Sequence, residues 1–307
     1  MEIFKNKKWL VLLLSSVLLL SIVLAGCSTA TTTPTTVTMT TTTTAAVTTT
    51  AAPPSVPALT GTITESGSTS VQPLAELLAN AFKAKHSQVV VTIQGGGSSV
   101  GIKAATEGTV NIGASSRELT AEEAAKLKEF VLCKDGIAII VNPANGVADL
   151  TKDQVKSIFF GTITNWKDVG GIDKEIHVVA REESSGTRGA FDEMIMGKDK
   201  TTGKLNPIVK TAILQSSNGA ILQVVKGDPD AVGFISFGYL DSSIKALSIG
   251  GVVANAENAK NGSYPVVRPF LFVTNGEPAG VVKSFIEYCL SDEVQEIITK
   301  EGYISVK

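Results

Sequence analysis

Arg181-Glu182-Glu183-Ser184-Ser185-Gly186-Thr187-Arg188 joins a strand-like run, 175–180, to a helical run, 187–196. An arginine closes the strand, and Ser185-Gly186-Thr187 opens the helix. The first turn of a helix presents unpaired N–H groups at the positive end of its dipole. Small hydroxyls and glycine let a ligand approach that backbone closely, and a guanidinium adds a charge-assisted fork. The pattern points to a site for a small oxyanion. The competing reading pairs Arg181 with Glu182 or Glu183.

Working outward, three more loops have the same character. Ser66-Gly67-Ser68-Thr69-Ser70 follows a strand at 59–64 and precedes a helix at 72–83. Thr69 and Ser70 are candidate anion ligands, but hydroxyls here could equally be plain caps, with Pro73 just inside the helix. Gly95-Gly96-Gly97-Ser98-Ser99-Val100-Gly101 separates a strand at 89–94 from a helix at 102–107. Asn111-Ile112-Gly113-Ala114-Ser115-Ser116-Arg117-Glu118 again ends a short strand, 110–113, in small polar residues. Arg117 is a candidate ligand there, or the partner of a nearby glutamate.

The second loop also matches Gly-x-Ser-x-Gly, which would make Ser98 a hydrolase nucleophile. A triad would need a later histidine in a loop. The one later histidine, His177, falls inside a strand-like run, which argues against catalysis. The loop misses the nucleotide P-loop as well, because Ile102 stands where lysine is required.

Strand and helix patterns alternate through the remainder. Helices are expected at 121–129, 151–159, 220–226, 280–290 and 292–300, and strands at 137–141, 233–236 and 266–273. Alternation of this kind reads as an α/β fold with mostly parallel sheets, whose ligands bind beyond the C-terminal ends of strands.

The N-terminus bears on compartment. Lys5, Lys7 and Lys8 precede an apolar run, 9–24, and then Leu24-Ala25-Gly26-Cys27. A basic region, a short apolar stretch and small residues read as a secretory signal over 1–26. The ending resembles a bacterial lipobox, so Cys27 is expected to be lipidated. Residues 27–58 carry no charge and are dominated by threonine, with Pro34, Pro53, Pro54 and Pro57. That composition predicts a disordered tether.

The chain of 307 residues has 27 basic and 29 acidic side chains. Without the three lysines and one glutamate of residues 1–26 these become 24 and 28, a net charge of −4. No basic stripe is present, which argues against a nucleic-acid partner. Cys133 and Cys289 each lie in apolar surroundings and read as buried free thiols rather than a disulfide. With two histidines and no Cys-x-x-Cys, no metal site is expected, and no cofactor.

Taken in order, the lipobox, Ser-Gly-Ser-Thr-Ser, Gly-Gly-Gly-Ser-Ser-Val-Gly, Ile-Gly-Ala-Ser-Ser-Arg and Arg-x-x-x-Ser-Gly-Thr-Arg resemble the phosphate-specific receptors of ABC transporters, the PstS-type periplasmic binding proteins. Gly233-Phe234-Ile235 and the final Ser291-Asp292-Glu293-Val294-Gln295 fit as well. The resemblance spans 61–307. It implies a type II periplasmic-binding-protein fold, with two α/β lobes, two crossover strands and a dehydrated phosphate held in the cleft. The expected lobes are 59–137 plus 265–307, and 138–264, with crossings at 136–141 and 265–273.

Matching motif by motif, the resemblance implies contacts from Thr69 and Ser70, Ser98, Ser116 with Arg117, and Arg181 with Ser185, Gly186 and Thr187. It also implies a non-enzymatic monomer, anchored on the outer face of the cytoplasmic membrane and delivering phosphate to a permease. Many such receptors carry aspartate where this chain has Ser116. A carboxylate there accepts the proton of hydrogen phosphate and repels sulfate. The departure predicts weaker discrimination against sulfate, unless Glu65 or Glu118 substitutes. A receptor for another tetrahedral oxyanion, or a hydrolase using Ser98, are the alternatives.

Overall fold

The computed structural model describes residues 58–307. The expected signal segment, Cys27 and the threonine-rich stretch through Pro57 lie outside the described residues.

The first half of the fold runs β1 (Gly61–Gly67), α1 (Gln72–Lys85), β2 (Val89–Gln94), α2 (Ser98–Thr106), β3 (Ile112–Ser115), α3 (Ala121–Ala124) and β4 (Lys128–Val141). Then come β5 (Asp149–Leu150), α4 (Lys152–Phe160), β6 (His177–Arg181), α5 (Gly186–Phe191), β7 (Ile213–Gln215), α6 (Asn218–Gly227) and β8 (Ala231–Ser236). The chain closes with β9 (Lys245–Ala246), β10 (Ser248–Ile249), α7 (Ala256–Lys260), β11 (Val267–Thr274), α8 (Gly280–Cys289) and α9 (Asp292–Lys300).

Among the described residues, one sheet runs β2-β1-β3-β11-β4-β8-β6-β7, with β9 also on β4. The expectation of mostly parallel sheets needs correction. Pairing is parallel within each wing, β1 with β2 and β3, and β6 with β7 and β8. It is antiparallel wherever β4 or β11 takes part. A strand that returns across the middle must run against its neighbours. β4 pairs with β11 over its first half and with β8 over Ile137–Val141.

The helix expected at 121–129 is a single turn. Thr120 and Glu123 form a capping box that starts it, and it stops at Ala124. From Lys128 the chain pairs with β11, a partner far along the sequence that local pattern cannot reveal. The helix expected at 187–196 is also divided, into α5 and a π-helical turn, Asp192–Met196.

Buried apolar side chains form two large clusters. One packs α1, α8 and α9 on the β1–β3 wing, around Ile63, Leu78, Phe82 and Phe285. The other lies between α4, α5, α6 and β8. There Phe191 stacks on Phe234 with centroids 4.1 Å apart, and Phe159 meets Phe191 edge-on at 4.8 Å. Those rings fix α5 against the sheet. β4 passes from Cys133 in the first cluster to Ile137 in the second, and the chain returns from Val266 to Phe270. Cys133 and Cys289 are free, buried thiols.

Glu65 interrupts an otherwise apolar face. It stands in register between Ile93 and Ile112, two residues after Ile63, and is 2% exposed. Its Oε2 has no hydrogen-bond partner. Burial, with a smaller push from Glu76, holds the carboxyl well above the usual range. A carboxyl whose folded pKa is raised binds a proton more readily folded than unfolded. Stability should therefore fall as pH rises from the ordinary carboxylate pKa toward the raised one. Glu65→Gln is expected to remove that slope and raise Tm at neutral pH, by about 2–4 °C per kcal/mol recovered. Thermal melts across pH 4–8 check it; parallel slopes for both proteins would refute it.

Candidate functional site

Four helices begin around one point. α1 follows Ser68-Thr69-Ser70, α2 starts at Ser98, α5 at Gly186 and α6 at Asn218. Gly97 holds the turn before α2 at φ +97°, and the Ser99 N–H donates to the Ser184 carbonyl at 3.1 Å. The second and fourth loops therefore touch. Gly186 lies so close to Ser98 and Ser116 that a Cβ there would collide with the Ser98 hydroxyl.

The hydroxyls form a buried cluster. Ser68, Ser70, Ser98, Ser116 and Thr187 are each between 0% and 3% exposed. Ser68 Oγ accepts from the backbone of Ser70 at 3.1 Å and donates to Ser116 Oγ at 2.7 Å. Ser98 Oγ accepts from the Ser116 N–H at 3.0 Å. Ser70 Oγ and Thr187 Oγ1 are 2.7 Å apart. Ser185 caps α5, its hydroxyl accepting from Arg188 N at 3.2 Å. Thr69 is held by Tyr239, whose OH donates to its carbonyl at 2.8 Å.

Arg181 closes β6 with its guanidinium 1% exposed. Its Nε and Nη2 donate to the carbonyls of Gln215 and Ser216, at 3.1 and 3.0 Å. The same atoms meet the Glu182 carboxylate, Nη2 at 2.8 Å. Its buried Nη1 has no partner. The ion-pair reading of Arg181 is thus met on one edge by Glu182, while the other edge keeps a free donor. A buried charged donor without a partner is costly unless something is meant to meet it.

Residues 28–293 match the profile of a PBP superfamily domain. The phosphate-binding protein PstS of Bacillus subtilis (strain 168) is 36% identical over 253 residues, spanning 80% of this chain and 81% of that protein. The chain belongs to the PstS family. A Clostridium perfringens substrate-binding protein crystallised with bound phosphate superposes with a TM-score of 0.76 at 44% identity, covering 80% of this chain and all of that one. An ABC-type phosphate transport receptor from Vibrio cholerae gives 0.66 at 39%, over 80% of this chain. The fold is thus the two-lobed periplasmic-binding-protein fold of type II.

Within this PstS-family site, Arg117 is not where the motif suggested. Its guanidinium makes a two-pronged ion pair with Glu123, both contacts at 2.8 Å, and donates to the Glu118 carbonyl. Those bonds hold Arg117 charged and draw the Glu123 carboxyl below its usual range. Arg117 braces the third loop from outside, so its expected anion contact is replaced by an ion pair. Glu118 is exposed and Glu65 lies on the α1 face, and neither hydrogen-bonds to the cluster. His177 pairs with Asp228 at 2.7 Å and makes no bond to Ser98.

Three participants were not singled out from sequence. Asn218, 0% exposed, donates through Nδ2 to Ser70 Oγ at 2.9 Å and Thr69 Oγ1 at 3.2 Å. The helix expected from 220 starts two residues earlier, and its first residue enters the cluster. Arg268 and Asp135, 2% and 0% exposed, form a buried ion pair whose guanidinium also reaches Ser70 and Ser116. The available signal was a charge inside each of two strongly apolar segments, Asp135 before Gly136-Ile137 and Arg268 before Pro269-Phe270.

Proposed function

We propose that this chain binds inorganic phosphate between the four loops and presents it to the permease of an ABC transporter. The observation that carries the reading is the buried Arg181, with a free Nη1, at the head of the loop that supplies Ser185 and Thr187 to a buried set of hydroxyls and helix N-termini. Thr69, Ser70, Ser98, Ser116, Arg181, Ser185, Gly186 and Thr187 are the proposed ligand set. Such a set supplies N–H and O–H donors and one uncommitted cationic edge, which suits a dehydrated tetrahedral dianion. The relatives named above, one holding phosphate, support the same assignment. In this reading the protein acts as a receptor, as the PstS relatives do by name, and Ser98, whose Oγ accepts from the Ser116 N–H, serves as a ligand.

The proposed lobes are 59–137 with 265–307, and 138–264. Thr69, Ser70, Ser98 and Ser116 come from the first, and Arg181 through Thr187 from the second. An anion touching both favours the closed arrangement by its differential affinity for it. The proposed setting is the outer face of the cytoplasmic membrane, as a monomer tethered through lipidated Cys27. Mass spectrometry of the mature N-terminus is expected to find an acylated Cys27; an unmodified N-terminus elsewhere would overturn the anchor.

Arg181→Ala should weaken phosphate binding by about 2–5 kcal/mol, or about 30- to 4000-fold, with the fold intact. Calorimetry checks this, and an affinity near that of wild type would sink the assignment.

A second reading, sulfate or a related oxyanion, rests on the lack of a free carboxylate among the hydroxyls described. Asp135 is buried nearby, but its charge is taken up by Arg268. Ser116→Asp is expected to weaken sulfate more than phosphate. Titration of both anions into both proteins tests this. If wild type already rejects sulfate by several orders of magnitude, a different acceptor is at work.

A further inference from the structure

The Asp135–Arg268 pair sits where the two crossing strands pass from one apolar cluster to the other. The two residues are direct partners in the β4–β11 ladder. Arg268 Nε and Nη2 both donate to Asp135 Oδ2, at 3.1 and 2.9 Å. The guanidinium then reaches forward. Its Nη1 donates to the Ser116 carbonyl at 3.1 Å, and its Nη2 to Ser70 Oγ at 3.0 Å.

The second of those bonds has a chemical consequence. A serine hydroxyl carries one proton and two acceptor lone pairs. Ser70 Oγ accepts from Arg268 Nη2 and from Asn218 Nδ2, neither of which can accept in return. Both lone pairs are used, so Ser70 can only donate. Its donation falls on Thr187 Oγ1, 2.7 Å away in the fourth loop. A hydroxyl whose lone pairs are both occupied can present only its proton to an oxyanion, either directly, by turning it from Thr187, or through Thr187, whose own proton is then free to donate.

We propose that Arg268 is a positioning and specificity-determining residue of the anion site. It sets the donor direction of Ser70 and holds a second buried positive charge one side chain behind the ligand, with Asp135 aiming it. The proposal rests on the phosphate reading above. Asp135 holds the guanidinium through Oδ2 alone, while the Ser236 hydroxyl and the Phe237 N–H also favour its ionised form. A buried ion pair is often replaceable by apolar residues at no loss of stability. A pair serving only to hold the strands together should therefore be dispensable.

The test is calorimetric titration of phosphate with melting curves on five proteins: wild type, Ser70→Ala, Arg268→Lys, the double variant Asp135→Leu/Arg268→Met, and that double variant with Ser70→Ala. The double variant is expected to fold and to bind phosphate about 10- to 100-fold more weakly. Removing the Ser70 hydroxyl should weaken the wild type about tenfold but cost the double variant little, since the two changes break one connected arrangement. Arg268→Lys keeps the ion pair yet loses the fork, and should show near-native melting with weakened binding. This variant decides the matter if the double variant does not fold. Native affinity in Arg268→Lys, or strictly additive losses across the cycle, would overturn the proposal. A wild type that fails to bind phosphate would overturn the reading beneath it, and the proposal with it.

Discussion

Polar groups removed from water need partners, and the organisation of the buried hydroxyl cluster follows from that constraint. Ser68, Ser98 and Ser116 use one another and backbone N–H groups, while Ser70 uses Arg268, Asn218 and Thr187. Few of these bonds are local. Ser70 meets residues of the fourth loop, of α6 and of β11, so the cluster exists only when the sheet is complete. Arg181 Nη1, at the head of the fourth loop, is a buried cationic donor without a partner among the described residues.

The sheet makes this possible by having two parallel wings joined through two antiparallel strands. Parallel wings put helix N-termini at one edge, which is where α1, α2, α5 and α6 deliver their dipoles. The crossing strands β4 and β11 carry the apolar burial from one cluster to the other. In their midst sits the only buried ion pair of the described residues in which both partners are 2% exposed or less. Burial pushes the Asp135 carboxyl up to about 6 against the pull of Arg268, so it remains ionised at neutral pH.

Much of this was legible beforehand. Each of the four loops was visible as a short polar glycine-containing stretch between a strand pattern and a helix pattern, and β2 and α9 have the bounds their periodicity implies. Thr69, Ser70, Ser98, Ser116 and Thr187 converge as the motifs suggested. Arg117 did not follow its motif, because Glu123, placed by the short α3 turn, offers a two-pronged partner on the outer side. Nothing in Ser-Ser-Arg-Glu distinguishes an arginine that turns inward from one that turns outward.

The sequence alone determined most of the element types, the apolar faces, the absence of a P-loop lysine and the small, polar character of the loops. These are properties of residues close together in the chain, where period, capping and side-chain chemistry act directly. Tertiary structure alone decided that the helix expected over 121–129 would stop short and that the chain from Lys128 would be strand, because its hydrogen-bond partners lie in β11. It alone brought Asn218 and Arg268 to Ser70, and showed which edge of Arg181 is spent on Glu182 and which is free. Such facts depend on contacts between distant segments, and the direction a buried hydroxyl donates is set by neighbours that only the folded chain supplies.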